Sequence, residues 1–299
     1  MDHDPPIRYV EPVYRPPSEA ESLILPVTDG CSWNQCTFCE MYRAPQKRFR
    51  ARDAAEVLES IRRVGEDEGD RVRRVFLADG DALVLPTRRL LAYLEAIRTH
   101  LPSVHRVSSY CLARNLNKKS VSELKELCDA GLKLAYLGAE SGDATVLARV
   151  NKGESVESTR NALNKLGQAG IRRSVMIING LGGESLSAQH ADNSARLINA
   201  TAPEYLSTLV LTLNDGGARF RATWPDWQPL SQSGLFREME GFLSALDLRR
   251  TLFRSDHASN WLVLKGTLGA DKARLLAQVR AAIERPEAAA LRAAGMRGL

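Results

Sequence analysis

Six short apolar runs, with segments of helical spacing between them, constrain this chain more than any other feature. The runs are LILPV (23–27), VRRVFLA (72–78), HRVSSY (105–110), KLAYLGA (133–139), RSVMII (173–178) and YLSTLVLTL (205–213). Apolar runs of this length read as strands, and long uninterrupted ones as strands buried on both faces. Between the first runs, Val57, Leu58, Ile61 and Val64, then Leu90, Leu91, Leu94 and Ile97, recur at the period of a helix with one apolar face. Ser120 followed by Glu123 is a capping-box pattern, and Gly131 and Gly170 stand where helices must stop. Parallel neighbours need a crossover that a helix supplies, so the alternation predicts an α/β fold with parallel pairing. Six units predict a partial (β/α)6 barrel; a doubly wound open sheet has the same periodicity.

Three stretches are expected. Residues 1–20, with Pro5, Pro6, Pro12, Pro16 and Pro17, read as an extended arm, because proline fixes φ and disfavours helix in the residue before it. Residues 21–215 carry the barrel. At 216–299 the alternation gives way to an extension covering the barrel opening, with two amphipathic segments, the run FRSDHASNWLVLKG (253–266) and an Ala/Arg-rich terminal helix from Arg285. A chain of 299 residues that is 44% hydrophobic and 26% charged can bury a large core and is not disordered or fibrous. Forty-one basic against 36 acidic residues leave +5, with the signs interleaved. Only the basic stretch 43–52 resembles a nucleic-acid footprint, so nucleic acid is not an expected partner. No apolar run is long enough to span a bilayer, and MDHDPP lacks the basic and apolar regions of a secretion signal, so a cytoplasmic location is expected.

Chemistry concentrates in GCSWNQCTFCEMY, where Cys31, Cys36 and Cys39 follow the first predicted strand. Loops after the C-terminal ends of parallel strands form the working face of β/α folds. Three thiolates within nine residues repel one another and stay protonated unless a cation holds them, which points to a metal centre. Structural zinc takes four protein ligands, and no fourth Cys or His is near. The spacing C-x4-C-x2-C also occurs in plant-type ferredoxins, but their fourth Cys has no close counterpart here, since Cys111 lies beyond the third strand. A 4Fe-4S cluster on three cysteines leaves one iron open to bind a substrate or cosubstrate.

With this triplet the chain resembles the radical S-adenosylmethionine (SAM) superfamily, in which a partial β/α barrel carries three cluster cysteines after its first strand and an aromatic residue just before the third; Phe38 occupies that place. The common motif is C-x3-C-x2-C, so Ser32 to Gln35 contain one extra residue. Its loop-closure cost is only about 0.2 kcal/mol. Over residues 21–215 the resemblance continues in chain order. ADGDAL (78–83) stands where the family meets the SAM amino group, through Asp79, Gly80 and Asp81. Glu140 of LGAESG matches a polar residue that contacts the ribose or methionyl moiety, and a carboxylate can accept both ribose hydroxyl protons. Arg149 and Lys152 of RVNKG match cations offered to the methionyl carboxylate, and Gly180 and Gly182 of NGLGGE match the turn on which adenine packs.

The resemblance implies an enzyme that binds a 4Fe-4S cluster and SAM, cleaves SAM reductively to a 5′-deoxyadenosyl radical and abstracts hydrogen from a small-molecule or peptide substrate. It also implies a low-potential electron donor such as flavodoxin or ferredoxin, and no cobalamin-binding domain is expected ahead of the barrel. Taken without the family, the same cysteines fit an electron-transfer or redox-sensing module, or a zinc-stabilised RNA-binding protein or scaffold. Asp79 and Asp81 alone read as a polar turn, Glu140 as a helix cap, and Arg149 and Lys152 as solvated helix-end charges. His257 and Cys111 are the catalytic candidates; Cys111 reads first as packing, as does Cys128 within a helix. His257, with Asp256 and Asn260, can reach over the open end of the barrel, and Trp224, Trp227 and Trp261 can line a pocket.

Overall fold

In a computed structural model that describes residues 5–297, every expected strand is present, and each boundary follows from a local cause. The first four residues of the arm and the last two of the terminal segment lie outside the described residues. The elements run β1 (Leu23–Pro26), β2 (Thr28–Asp29), β3 (Arg50–Ala51), α1 (Ala54–Glu68), β4 (Arg74–Ala78), α2 (Thr87–His100), β5 (Arg106–Cys111), α3 (Ala113–Leu116), α4 (Val121–Asp129) and β6 (Leu132–Glu140). They continue as α5 (Ala144–Arg149), α6 (Val156–Gln168), β7 (Arg172–Asn179), α7 (Gly183–Thr201), β8 (Tyr205–Val210), α8 (Ala218–Thr223), α9 (Gln232–Ala245), β9 (Leu252–Ser255), β10 (Leu264–Thr267) and α10 (Lys272–Glu284). The fold is α/β with a mostly parallel sheet, of the partial-barrel type.

Two compact units share the chain. The first comprises Met1–Asn34, Cys39–Leu137 and Asn164–Arg173; the second comprises Gln35–Phe38, Gly138–Leu163 and Ser174–Leu299. In the first, β1, β4, β5 and β6 pair in parallel, with Leu25 opposite Leu77, Leu77 opposite Ser109 and Ser109 opposite Ala135. Val75, Phe76, Leu77 and Ala78 are all buried, as a strand covered on both faces requires. Asp53 caps α1 by accepting the amides of Ala55 and Glu56, and α1 buries Val57, Ile61 and Val64. In α2 the inward row is Leu90, Tyr93, Leu94 and Ile97. Each such side chain, fully buried, contributes about 1.5–3 kcal/mol. The capping box of α4 forms, with Glu123 reaching back to the Ser120 amide while its own amide binds Ser120 Oγ. Gly131 and Gly170 adopt φ +123° and +79°, the left-handed region glycine enters freely.

Ahead of β1 the arm turns once through Pro17–Glu19. There the fully buried Glu19 accepts from Arg106 Nη2 at 2.9 Å and Tyr136 Oη at 2.6 Å, with Ser22 as a third donor. β2 and β3 pair antiparallel, Asp29 opposite Arg50, and so fix both ends of the segment that carries the cysteines.

In the second unit β7, β8 and β9 are parallel and β10 closes antiparallel to β9. The alternation therefore runs past residue 214: α9 is a further crossover, and Tyr205 of β8 lies opposite Leu252 of β9. The sequence pattern hides β9 because it is four residues long and turns Arg254 outward. The terminal helix expected from Arg285 is not formed. In its place stand two 3-10 turns, Pro286–Ala288 and Ala294–Met296, while Leu291 bridges to Leu262 and Arg292 donates its amide to Trp261 O. Among the described residues no helix is long and apolar enough to cross a membrane.

Candidate functional site

Cys31, Cys36 and Cys39 are partly exposed thiols outside any disulfide, while Cys111 and Cys128 are buried. Cys31 and Cys39 belong to the first unit; Cys36 lies in the Gln35–Phe38 segment of the second. Among the described residues no three Cys, His, Asp or Glu side chains are drawn together as a metal-binding group, so the triplet is defined by its chain order.

In the first unit, the turn after β4 is laid against the cysteine segment. Gly80 donates its amide to Gly30 O at 3.1 Å. A Cβ on Gly80 would stand 2.8 Å from the Tyr42 ring and 3.1 Å from Cys31 Cβ, so only glycine permits this approach. Asp79 is buried in an ion pair with Lys47 at 2.6 Å, and its Oδ2 also receives the Gly30 amide. Burial raises the Asp79 pKa, against the pull of Lys47. Its Oδ1 and the neighbouring Tyr42 hydroxyl are both buried and make no hydrogen bond of regular geometry among the described residues, yet the hydroxyl lies close enough to the carboxylate to stabilise its charge. Burial, then the Asp79 charge, push the Tyr42 phenol well above its usual range.

Asp81 behaves differently. Its Oδ2 accepts from Ser32 Oγ at 2.5 Å and from Asn115 Nδ2 at 2.6 Å, and its Oδ1 accepts the Leu112 amide at 3.3 Å. Beside it Arg114 stacks over the Trp33 ring at 3.9 Å, and Asn34, at φ +47°, donates to Tyr42 O. The four-residue spacer thus contains a left-handed Asn, a residue type that tolerates that conformation.

In the second unit, the Cys36 segment runs beside the end of α5. Thr37 donates its amide to Val150 O at 3.0 Å, Asn151 Nδ2 donates to Gln35 O, and Arg219 Nη2 donates to Cys36 O at 2.6 Å. Phe38 packs against an apolar cluster that includes Val146, Val150, Leu181, Phe220, Trp224 and Trp227. Two of the expected pocket tryptophans are therefore core.

Glu140 ends β6 at φ +64°, a costly conformation for a side chain with a Cβ. Lys152 Nζ donates to its Oε1 at 3.0 Å, both groups being buried, and Oε2 has no partner among the described residues. Lys152 O faces Cys36 Sγ at 4.0 Å. Arg149 is exposed and lies 5.8 Å over Trp224, outside this group. The turn after β7 holds Gly180 at φ +87°, with its amide on Glu238 Oε1 at 2.5 Å; Asn179 Nδ2 and Ser187 Oγ also donate to Glu238. Gly182 sits where a Cβ would meet Leu186 O at 3.0 Å.

The structure gives the catalytic candidates other partners. Cys111 Sγ is buried against Tyr136 O at 3.4 Å. His257 Nδ1 receives the Ser259 amide at 3.1 Å and pairs with Ser259 Oγ, while Asp256 is bound to Lys265. Asn260 Nδ2 donates to Thr208 O, so the 256–260 loop is tied to β8. Trp261 stacks under Arg297 at 3.7 Å. In the basic stretch Lys47 is paired with Asp79, and Arg50 and Arg52 both clamp Asp29.

Sequence reasoning missed Lys47, Asn115, Gly138 and Glu238. Gly138 had a local signal, two residues before Glu140 in the same motif; a Cβ there would collide with Glu140 Oε1. Glu238 is an acidic residue on the inward face of the apolar α9, a pattern that announces a buried polar contact.

The sequence matches the Radical SAM superfamily over residues 25–193. No curated protein matches it. Coproporphyrinogen III oxidase (HemN) from Escherichia coli, a radical SAM enzyme, aligns at 17% identity with TM-score 0.57, over 75% of this chain and 52% of that one. Methylornithine synthase (PylB) aligns at 14% identity with TM-score 0.54, over 91% and 74%. The radical SAM methyltransferase TsrM from Kitasatospora setae, with cobalamin and a 4Fe-4S cluster bound, aligns at 17% identity with TM-score 0.51, over 63% and 36%. The chain thus spans about a third of the length of TsrM. At these identities the likeness is one of fold.

Proposed function

Because the chain belongs to the radical SAM superfamily, we propose that it is an enzyme that holds a 4Fe-4S cluster through Cys31, Cys36 and Cys39 and binds SAM beside it. The observation that carries this reading is three partly exposed thiols, none in a disulfide, within nine residues on the segment that follows β1 and β2. The donor set fits such a cluster: three thiols, no disulfide among them, and a glycine-lined approach from the β4 turn. The chemistry that cluster and SAM supply together is reductive cleavage of the sulfonium to methionine and a 5′-deoxyadenosyl radical that takes hydrogen from a substrate.

The protein's own residues bind and orient. Asp79 Oδ1 is a buried acceptor that can turn to the SAM ammonium, with the Tyr42 hydroxyl beside the carboxylate and Lys47 holding the other oxygen still. Glu140 Oε2 is a buried acceptor for a ribose hydroxyl, and Lys152 holds that carboxylate in place through Oε1. Gly180 and Gly182 leave the β7 turn without side chains against the adenine, and Glu238 pins the turn. Phe38 anchors the third-cysteine limb through the apolar cluster. Arg149, exposed and 5.8 Å over Trp224, is the further cation offered to the SAM carboxylate. His257 and Cys111 retain no assigned catalytic role. The electron comes from a low-potential donor such as flavodoxin or ferredoxin, and the substrate is a small molecule or peptide.

Anaerobic reconstitution followed by SAM and dithionite tests the reading. Iron and sulfide in cluster stoichiometry, a SAM-perturbed electron paramagnetic resonance signal and 5′-deoxyadenosine are expected, and Cys36→Ala should lose all three. Zinc without iron would support the scaffold alternative, and a cluster whose signal ignores SAM would support an electron carrier; either overturns the proposal.

A further inference from the structure

The resemblance assigns all three residues of the β4 turn to SAM, yet the three are built differently. Asp79 keeps a buried oxygen that makes no hydrogen bond of regular geometry among the described residues, with the Tyr42 hydroxyl beside the carboxylate, whereas Asp81, fully buried, has both oxygens engaged by this chain. Its donors come from two places. One is the start of α3, through the Leu112 amide and Asn115; the other is Ser32, the residue after Cys31. Asn115 closes the triangle by donating to Ser32 Oγ at 3.0 Å. A carboxylate already accepting three protons from rigid neighbours offers an incoming ammonium little that is not taken. A short bond to a hydroxyl beside a cysteine does fix backbone.

We propose that Asp81 is a positioning residue: with Asn115 it grips Ser32 and holds the Cys31 limb of the four-residue cysteine spacer in place for metal, and it does not bind SAM. This rests on the cluster reading for its consequence but not for its geometry. A spacer one residue longer than C-x3-C has one more pair of free dihedrals, and loop order of this kind has to be supplied by side chains. The Ser32–Asp81–Asn115 triangle supplies it on one side and the Arg114–Trp33 stack on the other.

The test compares Ser32→Ala, Ser32→Thr and Asp81→Asn with the unaltered chain, in two states. In the metal-free protein, the alkylation rate of Cys31 and amide hydrogen exchange over residues 31–35 report loop order directly. Ser32→Ala and Asp81→Asn should raise both by about tenfold, the scale of one lost charge-assisted hydrogen bond, and Ser32→Thr, which keeps the hydroxyl, should restore them. In the reconstituted protein, both variants should release iron to a chelator about tenfold faster and shift the midpoint potential, while the SAM dissociation constant per loaded cluster changes less than twofold. Unchanged alkylation and exchange in Ser32→Ala would overturn the inference. So would an Asp81→Asn protein that keeps its iron like the unaltered chain but loses SAM affinity, since that assigns the carboxylate to the ligand. Ser32 is partly exposed, so its alanine variant tests the proposal even where Asp81→Asn folds poorly. Should the unaltered chain assemble no iron–sulfur cluster, the functional reading fails and the metal-free measurements still decide this one.

Discussion

Lys152 holds Glu140 by one oxygen only: Nζ donates to Oε1 at 3.0 Å, and Oε2 is left buried and unpaired among the described residues. Gly138 makes the arrangement possible, because any Cβ there would collide with Oε1. Gly138→Ala should therefore push the carboxylate off Lys152 without touching the cysteines. SAM affinity is expected to fall about tenfold or more, the worth of a hydrogen bond to a charged group, with iron content unchanged. Glu140→Gln should do the same at constant volume. Equilibrium dialysis of SAM against reconstituted protein checks both, and unaltered affinity in both would remove Glu140 from the binding site.

Gly80→Ala tests the approach of the β4 turn to the cysteine segment. The added methyl would lie 2.8–2.9 Å from the Tyr42 ring and 3.1 Å from Cys31 Cβ. Both neighbours are held, Tyr42 by burial and Cys31 by the Gly80–Gly30 hydrogen bond next to it. Overpacking of this kind costs about 1–3 kcal/mol, or roughly 2–4 °C of Tm per kcal/mol in a chain of this size. Tyr42→Leu in the same chain should recover part of the loss by freeing the ring's space. A Gly80→Ala protein as stable as the unaltered one would mean that the turn can move away.

What the sequence disclosed and what it concealed divide along contact range. The β4 run VFLA is apolar throughout because both faces are covered, and the thiols declare themselves by spacing; both signals are local. Lys47 reads as one more charge in a basic stretch, yet it is buried against Asp79, thirty-two positions on. Asn115 serves Asp81, and Glu238 serves Asn179 and Gly180, through contacts that no periodicity records. The tail failed for a related reason: Ala and Arg favour helix, but Arg292 and Arg297 spend their guanidinium groups on the carbonyls of Asp256 and Ser259, and these tertiary bonds override propensity.

His257 gives a pH prediction. Burial, then the charge of Arg292, hold its pKa below the usual 6.5, with Asp256 pulling weakly the other way. The native state therefore binds fewer protons than the unfolded chain between the lowered value and 6.5. Stability should rise with pH through that window, be complete above it and be lost on acidification. Arg292→Gln should raise the His257 midpoint toward 6.5 in an NMR titration. It should also loosen the 256–260 loop, because Arg292 binds the carbonyls of Asp256, His257 and Asn260. A midpoint that does not move would show that burial alone sets it.

The Lys47–Asp79 pair carries the sharpest stability prediction, since both side chains are all but inaccessible, at 1% and 2% exposure. Two buried charges that neutralise each other contribute little as a unit, but removing one strands the other. Lys47→Met should cost about 3–5 kcal/mol. Asp79→Asn should also destabilise, by leaving the ammonium unpaired, and Lys47→Met with Asp79→Asn should lose less than the sum of the two, a coupling that a double-mutant cycle measures. The pH dependence of the single variant follows with a definite sign. Burial already raises the Asp79 carboxyl, and loss of Lys47 removes the charge that opposes it, so the native carboxyl binds its proton at higher pH than the unfolded one. The penalty of Lys47→Met should then shrink as the solution is made mildly acidic, because the stranded carboxylate is neutralised in the folded protein first. Denaturant melts of the unaltered and Lys47→Met proteins across that range check it. A penalty independent of pH would mean that water reaches Asp79 once Lys47 is gone, and that the site tolerates a lone carboxylate.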